Sequence, residues 1–296
     1  MDGRRKEMNL ESGGKEGAES SGLAGERLVG LTIAGFDPSA GAGVTADLKV
    51  FAAHGIYGMA AVTALTVQST LGVKGIRAVD SELLKQTLAC LRDDVTFTGI
   101  KIGMLAERGL VEVVSDFLAE LGEDVRERVV LDPVLRSSSG RSLLDGAGVE
   151  SLKRRLLGQV GWITPNVDEA AALTRLPVGS REEVAAAAER LQEMAADAGN
   201  GELHVVVTGG HREQPDDFLR TPRGEEYWLA GKRVKTNSTH GTGCAFSTAL
   251  TCGLIEGYPA YPAVEAAKAY VTAALKAAYP VGRGKGPMNH LFRFER

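Results

Sequence analysis

Six short apolar runs separated by longer amphipathic segments constrain this chain more than any other feature. Residues 28–34, 59–67, 99–102, 129–131, 162–164 and 205–207 have the length and Val/Ile/Leu content of strands buried on both faces. Between them, residues 45–54, 81–93, 108–121 and 181–198 carry apolar positions at helical spacing. Strands that alternate with helices predict an α/β fold with a mostly parallel central sheet and helices on both faces. Two further helical patterns, 244–257 and 260–279, close the chain and are divided by the breaker Gly257-Tyr-Pro259. No linker interrupts residues 27–296, so the expectation is one domain. The first 26 residues are rich in Gly, Ser, Glu and Lys and cannot offset their ordering entropy by burial, which predicts a disordered leader.

Composition excludes several classes. With 44% hydrophobic residues, the 296-residue chain can bury a large core. A net charge of −4 leaves no basic excess for nucleic acid or an anionic membrane surface, so small molecules are the expected partners. Cys90, Cys244 and Cys252 are too few and too scattered for a disulfide framework or a structural zinc site. No apolar run approaches the roughly 20 residues of a membrane span. A cytoplasmic protein is expected.

In open α/β sheets ligands bind beyond the carboxyl ends of the strands, so chemistry is sought in the loops that follow them. The segment from Thr236 to Cys244 (TNSTHGTGC), followed by an apolar run, reads as a polar loop whose Gly241-Thr242-Gly243 turn opens a helix with Cys244 on its first turn. Unpaired backbone N–H groups and the helix dipole at such a turn favour an anion such as phosphate. The first strand runs into a Gly-rich loop in which Gly41-x-Gly43-x-x-Ala46 imitates a dinucleotide fingerprint. Six residues including Pro38 separate it from the strand, so the loop is better read as closing on a small ligand, with Asp37 and Asp47 available to hydrogen-bond it. Taken singly, Asp37 is equally a turn former and Asp47 a solvated helix carboxylate.

Gln68 at the end of the second strand offers a donor and an acceptor to a planar heterocycle, and Met104 after the third could pack against its ring. Asp132, Asn166 and Glu169 supply hard oxygen groups at neighbouring strand ends that could hold Mg²⁺, while Asn166 and Glu169 also fit a helix capping box. Thr208-Gly-Gly210 is a further small-residue loop suited to a nucleotide.

Together these segments resemble the hydroxymethylpyrimidine and phosphomethylpyrimidine kinases of thiamine biosynthesis, within the ribokinase-like superfamily. The resemblance rests on residues 33–49, 57–66, 101–105, 163–166, 239–244 and 284–290 in order. It implies a ribokinase-like three-layer fold and an ATP- and Mg²⁺-dependent kinase. Its acceptors would be 4-amino-5-hydroxymethyl-2-methylpyrimidine and then the monophosphate. By the same resemblance Gln68, Asp47, Gly35, Ala42, Met104 and Val134 surround the pyrimidine. Asn166, Glu169, Thr208 and Gly210 meet the nucleotide, Asp132 and Glu169 the metal, and Gly241, Thr242 and Gly243 form the anion hole.

Cys244 stands where most ribokinase-like enzymes place an aspartate base. The helix terminus is expected to lower its thiol pKa toward neutrality, and a neutral thiol would spare an already anionic phosphate acceptor the repulsion of a carboxylate. The resemblance also implies a homodimer. The chain departs from the family at Phe36 and Ala40, where Ser or Thr and Gly are usual, and at Ser138 and Thr208, where lysines are usual; Arg136 is a candidate to compensate. A pyridoxal kinase of the same fold, a ligand-binding regulator without catalysis, and a nicotinamide oxidoreductase are the competing readings.

Overall fold

The computed structural model describes residues 27–137, 140–210 and 214–294. The expected leader, Ser138 and residues 211–213 lie outside these. Nine strands form one sheet: β1 (Val29–Phe36), β2 (Tyr57–Ser69), β3 (Gly72–Ala78), β4 (Gly99–Ile102), β5 (Val129–Leu131), β6 (Trp162–Ile163), β7 (His204–Val207), β8 (Asp217–Arg220) and β9 (Glu226–Leu229), in the order β3-β2-β1-β4-β5-β6-β7-β8-β9. The six strands expected from the apolar runs make its parallel centre. Antiparallel β3 closes one edge, and antiparallel β8 and β9 extend the other. Strands β3, β8 and β9 escaped the sequence reading because runs of four to seven residues that include charged positions carry little continuous apolar signal.

The helices are α1 (Gly43–Ala53), α2 (Ser81–Asp94), α3 (Arg108–Ala119), α4 (Glu123–Arg126), α5 (Gly146–Arg154), α6 (Val167–Thr174), α7 (Arg181–Asp197), α8 (Thr242–Ile255) and α9 (Ala260–Lys276). Two apolar clusters lie on opposite faces of the sheet, as the period-2 geometry of strands requires. Val129 and Leu131 of β5 join one cluster with residues of α3, α5 and α7, whereas Val130 joins the other with residues of α8 and α9. β7 repeats the split, with Val205 and Val207 on one side and Val206 on the other. Helix α8 is buried from Ala245 to Ile255, which explains an apolar pattern running all round it. It packs between the sheet, α1 and α9, so its N-terminus is fixed at the carboxyl edge of the strands.

The same alternation places one polar pair inside. Leu31, Ile33, Ile100 and Ile102 face the first cluster, so Thr32 and Lys101, register partners across β1 and β4, point to the α1 and α8 side. Among the described residues no helix is long and apolar enough to cross a membrane.

Candidate active site

The α8 terminus organises the site. Gly241 precedes the helix at φ 81°, and a Cβ there would overlap the carbonyl oxygen of Gly41, so the turn both needs glycine and touches the Gly-rich loop. No side chain caps α8. The N–H of Ala245 reaches Gly241 O at 2.9 Å, which leaves the N–H groups of Thr242, Gly243 and Cys244 ahead of the first helical bond and available to an anion. Gly43 opens α1 at φ 59°, where a Cβ would overlap Gly35 O, and its backbone amide lies close enough to the Cys244 sulfur to favour the thiolate. Two helix termini therefore converge on one thiol.

The electrostatics of that thiol correct the expectation from the helix dipole. Although Cys244 keeps some surface exposure, burial of its sulfur pushes the pKa up to about 12; Lys101 opposes this, and Asp132 and Asp47 add to it. Desolvation and two carboxylates outweigh the helix terminus here. Cys244 rests as a neutral thiol, and forming its thiolate requires a change in the charges around it.

Lys101 and Asp47 lie beneath the thiol, both wholly buried and 2.9 Å apart. Asp47 Oδ2 also accepts from Thr32 Oγ1 at 2.6 Å, and Oδ1 from Thr248 Oγ1 at 2.8 Å. Asp47 was expected to contact the pyrimidine. In this structure its carboxylate is enclosed and used internally, tying β1, β4 and α8 to α1. Burial opposes the Lys101 charge, but Asp47, Cys244 and Asp132 outweigh it and raise the ammonium pKa.

Asp132 and Glu169 form a second group, a pair of buried acids. Asp132 Oδ2 accepts from Ser247 Oγ at 3.2 Å, one turn into α8, and its pKa is raised to about 6 by burial, against Lys101 and with Asp47. Glu169 is raised to about 8 by burial and by Asp132. Two buried hard-oxygen groups that resist ionisation side by side suit a divalent cation. Mg²⁺ needs only one or two carboxylates when phosphates and water complete its shell. Among the described residues no cluster of three or more metal-ligating side chains occurs.

Asn166 and Glu169 also make the expected capping box on α6. Asn166 Oδ1 accepts from Glu169 N–H at 2.9 Å, and Glu169 Oε2 from Asn166 N–H at 3.0 Å. Leu135 N–H reaches Glu169 Oε1 at 3.4 Å. Thr208 pairs with Asn166 across β6 and β7, so these two expected nucleotide contacts are neighbours. Gly210 has open space at its Cβ position; the neighbouring Gly209 is the constrained one, because a Cβ there would strike Asp216 O.

At the other end of the site Gly35, Met104 and Val134 come together. A Cβ on Gly35 would stand 3.0 Å from Met104 Sδ, and Met104 and Val134 share a small apolar cluster with Ala64 and Leu143. Ala42 is the N-cap residue of α1, and its N–H is held by Asp37 Oδ2 at 3.0 Å. Asp37 is not free for a ligand either. It accepts from Ser39 N–H, Ser39 Oγ, Gly41 N–H and Ala42 N–H at 2.7 to 3.2 Å and from His240 Nε2 at 2.7 Å, so the turn-former reading is the one realised. Burial opposes its charge, but His240 and Ser39 outweigh it and lower the pKa.

Lys101, His240, Ser247 and Thr248 are the site residues that sequence reasoning passed over. Lys101 carried a usable signal, since a lysine inside Gly99-Ile-Lys-Ile102 demands a buried partner. Thr248 gave none, because its importance depends on Asp47, 201 residues away. A cleft of about 520 Å³ lined by Arg233, Val234, Lys235, Thr236 and Asn237 borders the segment that leads into the turn. None of the expected substrate residues lines it.

A nine-stranded, mostly parallel sheet with helices on both faces and an open helix start at its carboxyl edge defines a ribokinase-like α/β protein. The ADP complex of Bacillus subtilis pyridoxal kinase shares the fold at a TM-score of 0.78, with 29% identity over 91% of this chain and 100% of that one. The phosphomethylpyrimidine kinase of Clostridium difficile superposes at a TM-score of 0.71, with 30% identity over 84% of this chain and all of that one. The hydroxymethylpyrimidine/phosphomethylpyrimidine kinase of Salmonella typhimurium is 42% identical over 270 residues, 90% of this chain and 98% of its own. The chain belongs to the phosphomethylpyrimidine kinase family, whose model matches residues 37–289.

Proposed function

We propose that this protein transfers the terminal phosphoryl group of ATP to the hydroxymethyl group of 4-amino-5-hydroxymethyl-2-methylpyrimidine. In a second turnover the phosphate of the monophosphate is the acceptor. The observation that carries the reading is the convergence of the open α8 terminus and the α1 terminus on Cys244, with Lys101 beneath it, Asp132 beside it and Glu169 next to Asp132. Backbone N–H groups at Thr242, Gly243 and Cys244 suit the charge that spreads over a transferring phosphoryl group.

Asn166, Thr208 and Gly210 are assigned to the nucleotide, and Gly35, Ala42, Gln68, Met104 and Val134 to the pyrimidine. Asp132 and Glu169 would hold Mg²⁺, which when bound would neutralise charge on the phosphates. Ionisation of those two carboxylates is what the protein must organise around it. Cys244 is assigned as base for the hydroxymethyl acceptor only as its thiolate: the resting thiol must first release its own proton to solvent before the sulfur can accept that of the acceptor. For the anionic phosphate acceptor its neutral thiol avoids repulsion, as its raised pKa supports.

The experiment is a panel of the pyrimidine, its monophosphate and pyridoxal with ATP and Mg²⁺, read as product masses. One transfer, two transfers or none to the pyrimidine separates the possibilities, and the absence of ADP with every acceptor refutes the reading. Pyridoxal enters the panel for a specific reason: the Bacillus subtilis neighbour and several Staphylococcus aureus structures of similar TM-score are pyridoxal kinases. Homodimerisation and a cytoplasmic location belong to the same proposal, and light scattering checks the first.

A further inference from the structure

The carboxamide of Gln68 and the carboxylate of Asp37 meet at one ring nitrogen. His240 Nε2 lies 2.7 Å from Asp37 Oδ2 and 2.9 Å from Gln68 Nε2. Asp37 is an anion, because three N–H groups and a hydroxyl besides the imidazole point at its two oxygens. A lone pair on Nε2 would be repelled at that distance, so Nε2 carries a hydrogen and donates to Asp37. A nitrogen that donates cannot also accept from an amide NH₂. With Gln68 Nε2 at that place two N–H groups would face each other, so the amide is assigned turned end for end, its carbonyl oxygen beside His240 and its NH₂ pointing away. Protonating Nδ1 as well leaves the argument intact, since Nε2 keeps its hydrogen in both forms.

His240 is itself held from two sides. Its N–H donates to Gly286 O at 3.0 Å, and its ring edge packs so closely on Gly41 that a Cβ there would collide with Cδ2. The imidazole thus has a fixed place between the Gly-rich loop and the α8 turn.

We propose that His240 is a positioning residue that locks the Gln68 amide in one of its two orientations and thereby sets which heterocycle the site accepts. With the carbonyl turned to His240, Gln68 offers an NH₂ donor and keeps one carbonyl lone pair. That pattern matches a ring nitrogen bearing a lone pair beside an amino group. A 4-oxo pyrimidine presents the opposite pattern, a ring N–H beside a carbonyl, and the reversed amide would be needed to read it. The assignment rests on the proposed function for its substrate, but the tautomer of His240 does not.

The test compares the 4-amino pyrimidine with its 4-oxo analogue in the wild type, His240→Leu and His240→Gln, by kcat/KM for each acceptor and KM for ATP. His240→Leu removes the donor and keeps much of the volume. The expected result is a fall of about tenfold in the amino-over-oxo ratio, the value of one oriented hydrogen bond, with KM for ATP unchanged. His240→Gln, whose NH₂ can still donate, restores most of the ratio. An unchanged ratio in His240→Leu, or equal losses in both variants, overturns the proposal. Nitrogen-15 NMR of the wild type decides the tautomer independently: the Nε2–H form supports the lock and the neutral Nδ1–H form overturns it. Should the wild type phosphorylate neither pyrimidine, the functional reading falls, and the NMR result still judges His240.

Discussion

Replacing Lys101 with methionine tests how the buried charge pair serves both fold and site. Lys101 and Asp47 are fully buried and 2.9 Å apart, and after the change Asp47 retains only the hydroxyls of Thr32 and Thr248. Methionine fills much of the lysine stem, so cavity formation contributes little. What remains is an uncompensated buried carboxylate, which costs about 3–5 kcal/mol; two surviving hydrogen bonds place Lys101→Met near the lower end. For a domain of this size each kcal/mol moves Tm by roughly 2–4 °C, so a fall of about 6–12 °C is expected.

Asp47→Asn in the same background removes the stranded charge and should recover at least half of that loss, read by urea and thermal unfolding as a double-mutant cycle. Activity is expected to part from stability. Lys101 is the cation that opposes the rise in the Cys244 pKa, so the double variant stays impaired in phosphoryl transfer after its stability returns. Additive losses in the cycle would refute the pairing argument, and full activity in the stabilised double variant would refute the link to Cys244.

Three further outcomes follow from the geometry. Cys244→Ala should lower kcat for the hydroxymethyl acceptor by about 100-fold or more, whereas Cys244→Asp should slow transfer to the monophosphate more than transfer to the alcohol; equal effects of Asp on both steps would sink the repulsion argument. Glu169 has a folded pKa near 8 against an ordinary 4.5, so the folded state binds the extra proton and metal-free stability should fall as pH rises from about 4.5 to 8. Glu169→Gln should flatten that slope in thermal scans, and identical slopes would contradict the assignment. Gly241→Ala forces a side chain to φ 81° against Gly41 O and should cost about 1–3 kcal/mol together with most activity, measured by unfolding and ADP release.

Much of the architecture was legible because it depends on local pattern. Runs such as Val129–Leu131 declared buried parallel strands, and Asn166 with Glu169 three residues later declared a helix start. Strands β8 and β9 did not, since each needs its neighbour before four residues become a strand. Within the site, the Gly-Thr-Gly-Cys turn could be read as an anion-binding helix start from its residues alone. The state of its thiol could not be read, because Asp132, Asp47 and Lys101 come from other elements and reverse the influence of the helix terminus.

Chain order and side-chain period thus determined an alternating α/β sheet and a set of strand-end loops bearing polar groups. Tertiary structure decided which of those groups stay open at the strand ends and which are consumed inside. Asp37 and Asp47 looked alike as loop and helix carboxylates, yet the first binds the Gly-rich loop to His240 and the second is sealed against Lys101. The physical reason is range. Hydrophobic periodicity acts over a few residues, whereas desolvation, charge pairing and hydrogen-bond direction depend on what the fold brings within a few ångströms from distant parts of the chain.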